Sequence, residues 1–176
     1  MKNAIFVLLV LITYNVTAQD STFTISKVVK VDSVLKEALY TRAKLWIATS
    51  YNSAQNVIQL DDKENNTIVV KALFSVTASA GLMSRQEEGL VKYTLTIQCK
   101  DGRYKYTLED FIHECTVGYG SGGNLNNKKP DCGNFSLPKA GWEDIKSQAV
   151  SYANHLELSI EEGMNNSPKT SKSNDW

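Results

Sequence analysis

The chain has 176 residues, 42% of them hydrophobic, and carries 19 Lys and Arg against 19 Asp and Glu, a formal net charge of 0. That length suits one domain of the usual ~100 to 200 residues with a single core. The balanced charge lacks the strongly basic bias of nucleic-acid-binding domains, so no nucleic-acid partner is expected.

Residues 1–18 read as a signal peptide: Lys2 is a positive n-region, Ile5 to Ile12 an apolar core, and Val16-Thr17-Ala18 a small-residue cleavage site. The apolar run falls well short of the roughly 20 residues that span a bilayer, and no later run approaches that length, so no transmembrane segment is expected. The first cysteine is Cys99, which leaves none at the cleavage site for a lipid anchor. A periplasmic or secreted product is expected. Residues 19–163 then make a single α+β domain, and the polar tail 164–176 is expected to be disordered.

In chain order, Phe23, Ile25, Val29 and Val31 alternate with polar residues and predict a strand. Asp32 or Ser33 is the expected N-cap of a helix running to about Thr49. Its apolar side gathers Val34, Leu35, Ala38, Leu39, Ala43, Leu45 and Trp46, and Arg42 falls near the middle of that arc. Strands follow at Asn56 to Asp61 and Thr67 to Thr77, joined by the loop DKENN, with Ile68, Val70, Ala72, Phe74 and Val76 on one face of the second. Ala78 to Gly89 reads as a long polar connection.

The hairpin in KYTLTIQCKDGRYKYTL turns at Asp101-Gly102, the preferred pair for a two-residue type I′ turn because both central positions need positive φ. That turn sets Cys99 opposite Tyr104, Ile97 opposite Tyr106 and Leu95 opposite Leu108, apolar against apolar throughout. After Val117 a Gly-, Asn- and Pro-rich loop runs to Gly141, of a length that is usually functional or mobile. A last helix carries the stripe Trp142, Ile145, Ala149, Tyr152, Ala153, Leu156 and Ile160. The order β-α-β-β-β-β-α predicts a five-stranded antiparallel sheet with two helices on one face and the other face open.

The segment LYTRAKLWIATSYNSAQNVIQLDDKENNTIVVKA, with the strand pair around CKDGRYKYTLEDF, resembles the bacterial domain of unknown function 4468, described as having a TATA-box-binding-protein-like fold. The resemblance covers roughly Phe23 to Cys115 and implies that fold. No catalytic residues are established for the family, so it implies none here.

Chemistry-bearing patterns are sparse. Gly118, Gly120 and Gly123 spell G-x-G-x-x-G, but no helix start follows, so a flexible loop is the reading and no cofactor is expected. His113 and Cys115 lie two apart on a strand, with Cys132 as a conceivable third ligand; an ordinary strand with structural cysteines is the plainer reading, and no metal is expected. His155 falls on the polar side of the last helix. Cys99 is expected as a buried thiol, and Cys115 with Cys132 as a disulfide of an exported protein. Strict alternation from Tyr104 brings Asp110 onto the apolar face, so Arg42 is expected to pair with Asp110, or with Glu109 or Glu114 if a bulge shifts the strand.

The open face is expected to carry Lys30, Lys71, Lys92, Lys100, Arg103 and Lys105 among threonines, with Val28, Val69 and Leu73 between them. The expected function is therefore a non-enzymatic envelope module that binds a protein or an anionic glycan or lipid ligand through Lys71, Lys92, Lys100, Arg103 and Lys105 and the 117–141 loop. A small periplasmic enzyme of the hydrolase class and a structural or assembly subunit are the alternatives.

Overall fold

The structure is a computed structural model that describes residues 23–80, 85–115 and 120–165; the expected signal peptide 1–18 and the tail beyond residue 165 lie outside these. Along the chain come β1 (Ile25–Lys30), α1 (Lys36–Ser50), a short α2 (Ala54–Val57), β2 (Ile58–Asp62), β3 (Thr67–Ala80), β4 (Arg85–Lys100) and β5 (Arg103–Cys115). They are followed by β6 (Gly123–Asn124), a short α3 (Gly133–Ser136) and α4 (Lys139–Asn165). The five expected strands form an antiparallel sheet in the order β1-β5-β4-β3-β2, and the two-residue β6 adds to β5 beyond the end of β1. Helices α1 and α4 cover one face. Among the described residues no helix is long and apolar enough to cross a membrane.

The hairpin organises the sheet. Cys99 faces Tyr104, Ile97 faces Tyr106 and Leu95 faces Leu108, as the turn dictates, and Gly102 adopts φ 71°. The same turn also starts the first helix. The backbone N–H of Lys36 donates to Asp101 Oδ1 at 2.9 Å, while Gly102 N donates to Val34 O and Val31 N to Gly102 O. The expected N-cap at Asp32 or Ser33 is thereby corrected: a carboxylate from another element satisfies a first-turn N–H, and the helix begins at Lys36.

Of the connection expected from Ala78 to Gly89, residues 78–80 and 85–89 are strand, and residues 81–84 lie outside the described residues. Pairing continues through Ser75 with Leu90, Ala78 with Glu87 and Ala80 with Arg85. A two-stranded ladder satisfies its backbone groups whatever its side chains are, so it persists without the apolar alternation that marks strands in a sequence.

Three sites along α1 and α4 close the core. Leu39, Ala43 and Ile47 are fully buried, with Tyr40, Arg42 and Trp46 beside them, whereas Leu35 and Leu45 stay exposed; the buried arc is rotated from the expected one. Helix α4 buries its predicted stripe except Tyr152, which is half-buried, and then continues past Gly163 to bury Met164. Gly163, inside the helix, serves packing, since a Cβ on it would lie 2.5 Å from Trp46 Cδ1. Helix α4 thus runs through position 163 to Asn165.

The expected Arg42–Asp110 pair is replaced by a different arrangement. Arg42, 8% exposed, donates from Nη1 to Met164 O at 2.8 Å, where the negative end of the α4 dipole favours a cation. Asp110 is the extra residue of a bulge: Thr94 faces Glu109 while Lys92 faces Ile112, and Asp110 takes φ 58°. The bulge reverses the alternation. Phe111 and His113 turn inward and are buried, and Asp110 stands exposed, accepting from Thr94 Oγ1 at 3.1 Å. Glu114 instead pairs with Lys92 at 2.6 Å.

Candidate functional site

The face opposite the helices carries every cation expected there: Lys30, Lys71, Lys92, Lys100, Arg103 and Lys105 are all exposed. They do not form one cluster. Lys71 and Lys92 line a groove of about 680 Å³, and Lys100, Arg103 and Lys105 line a second depression of about 410 Å³ with Val28 and Gln98. Apolar side chains stand between the charges, Val28 at 58% and Leu73 at 51% exposure.

The larger groove is lined from adjacent strands by Lys71, Leu73, Lys92, Thr94, Asp110 and Ile112. From the connection between α1 and β2 it takes Asn52, Ser53 and Asn56, and from β2 itself Gln59. All four were missed from the sequence, where the polar run YNSAQN after the helix was the available signal for the first three. Lys71, Lys100, Arg103 and Lys105 enter no ion pair among the described residues. Tyr51 and Tyr93 also reach the groove. Their hydroxyls lie 3.0 Å apart, and that of Tyr93 lies 3.2 Å from that of Tyr152. Burial pushes Tyr51 up to about 12, so this chain stays protonated and holds α1, β4 and α4 in register. Chemically, the face offers ammonium, guanidinium, hydroxyl and amide donors around apolar spots, a set suited to binding anions.

His113 lies on the covered side. Its Nδ1 accepts from Gly122 N at 3.1 Å, and Gly89 and Gly122 make room for the ring, since a Cβ would sit 2.3 Å from Nε2 or 2.9 Å from Nδ1. Burial lowers its pKa, with Glu114 opposing. A histidine held neutral takes up fewer protons folded than unfolded, so stability is full above the unfolded value near 6.5 and falls as pH drops towards the folded value. Urea unfolding at pH 7.5 and 5.5 is expected to show this loss, and His113→Gln, which keeps an acceptor, is expected to reduce it. An unchanged slope would exclude His113 as its source.

Cys99 is buried opposite Tyr104 as expected, with its thiol pushed up to about 12 by desolvation. Cys115 and Cys132 are thiols in this structure. Burial raises the Cys132 pKa, and the nearby Cys115 adds to it.

A sequence model of DUF4468, a domain of unknown function with TBP-like fold, matches residues 26–114. In structure the chain is similar to a DUF4468 family protein from Bacteroides ovatus, at 16% identity and TM-score 0.60, over 84% of this chain and 88% of that one. It is likewise similar to a TBP-like protein from Parabacteroides distasonis, at 18% identity and TM-score 0.60, over 82% of this chain and 94% of that one. Identities this low carry the fold alone. No curated protein matches the chain.

Proposed function

The chain belongs to the DUF4468 family, a domain of unknown function with TBP-like fold, and from that premise we propose that it is an exported, non-enzymatic envelope module whose open sheet face binds an anionic partner. The partner is an envelope protein or an anionic glycan or lipid headgroup. One observation carries the reading: a chain of net charge 0 gathers exposed cations and exposed apolar side chains on its single helix-free face. Cations dispersed merely for solubility need no such apolar neighbours; a binding face uses both.

The test is retention of the mature chain on immobilised heparin and on immobilised polyglutamate at low salt. Retention is expected, with release as salt screens the contacts. Lys71→Gln with Lys92→Gln, and separately Lys100→Gln with Arg103→Gln and Lys105→Gln, are expected to elute earlier while stability stays within about ±0.5 kcal/mol. The Lys92–Glu114 pair, about half exposed, alters that little. Elution unchanged in both variants on both supports would overturn the reading.

Export also bears on the cysteines. In an oxidising compartment Cys115 and Cys132 are expected to join, closing a loop of about seventeen residues for roughly 3 kcal/mol in the chain-entropy model. Non-reducing mass spectrometry of the purified exported protein is expected to find one thiol, Cys99; finding all three would reject the bond.

A further inference from the structure

The loop between β6 and α4 is firmly seated yet presents its largest side chain to solvent. Leu125, Pro130 and Leu137 are buried. Asn127 O accepts from Trp142 Nε1 at 3.0 Å and from Lys146 Nζ at 2.9 Å, and Asp131 N donates to Gly122 O at 2.9 Å. Between those anchors Phe135 stands 83% exposed, the most exposed large hydrophobic side chain among the described residues. Lys128 and Lys129 on the same loop, and Lys139 at the start of α4, are exposed and enter no ion pair among the described residues. The loop's own acid, Asp131, is turned back: its Oδ1 accepts from Asn127 Nδ2, and its carboxylate lies against Gly123, where a Cβ would fall 1.8 Å from Oδ2.

We infer that this loop docks on an anionic phospholipid surface, with Phe135 entering the boundary between headgroups and acyl chains and Lys128, Lys129 and Lys139 meeting lipid phosphates. A single exposed aromatic on the same short segment as unpaired lysines matches an interface whose outer layer is anionic and whose next layer is apolar. The lysine stems reach phosphates while covering apolar surface. Because the loop is already anchored, docking orders little new chain. The inference rests on the exported reading for its compartment, but uses none of the sheet-face residues.

The test is cosedimentation of the mature chain with vesicles of phosphatidylcholine alone and of equal parts phosphatidylcholine and phosphatidylglycerol. Binding to the anionic vesicles is expected, reduced about tenfold by Phe135→Ala and reduced towards the neutral-vesicle level by Lys128→Gln with Lys129→Gln. The added emission of Phe135→Trp, read as the difference from the parent protein, is expected to shift to the blue on the anionic vesicles. No sedimentation would overturn the inference, as would sedimentation indifferent to Phe135→Ala. Sedimentation lost only in the Lys100, Arg103 and Lys105 variant would assign vesicles to the sheet face, overturning the loop's role while sparing the proposed function.

Discussion

Replacing Trp142 with alanine is expected to destabilise the fold by about 3 to 5 kcal/mol, the range for deleting a large, fully buried aromatic whose cavity closes only in part. Trp142 is 0% exposed and packs edge-on to His113, with ring centroids 6.2 Å apart. A Cβ on Gly122 would lie 2.5 Å from its Cζ3. The ring is thus the piece on which β5, the loop strand β6 and the start of α4 meet. The lost hydrogen bond matters less, since Asn127 O keeps Lys146 Nζ at 2.9 Å. Urea unfolding reads the cost directly, and Trp142→Phe is expected to recover part of it. A loss under about 1.5 kcal/mol would show that the 120–131 segment collapses into the space.

Arg42→Met is expected to cost about 2 to 4 kcal/mol. Methionine keeps a buried apolar stem at this position but gives up a charge-assisted hydrogen bond, worth about 1.5 to 3 kcal/mol, and a cation at the C-terminal end of α4. Asp110→Asn is expected to stay within about 0.5 kcal/mol, because asparagine tolerates positive φ and still accepts from Thr94. The double mutant is expected to be additive within about 0.5 kcal/mol. Coupling above about 1 kcal/mol would show that the two side chains meet after all.

The contrast between these two residues explains why part of the candidate site was legible in the sequence and part was not. Lys92, Lys100, Arg103 and Lys105 follow from period-two alternation in two strands whose register one Asp-Gly turn fixes, and Lys71 from the alternation within β3, so their exposure on one face could be read in advance. Asp110 could not be placed that way. One extra residue reverses every later side chain in the strand, and the need for it lies in the partner strand, where Tyr93 stacks on Phe111 at 5.8 Å. Asn52, Ser53 and Asn56 join the groove because a short turn of helix precedes β2, where the sequence suggested a strand from Asn56.

By itself the sequence determined the order of elements, the hairpin register, the buried stripe of α4 and the cationic open face, because local periodicity and turn chemistry act over a few residues. Only the tertiary structure decided what Arg42 meets, where α1 begins, why Gly163 lies inside a helix and how Phe135 comes to stand on an anchored loop. Each of these depends on a group distant in the chain: Met164 O for Arg42, Asp101 for Lys36, Trp46 for Gly163, and Trp142 for the loop. Contacts of that kind exist only once the chain has closed on itself, so no pattern within a short window of residues records them.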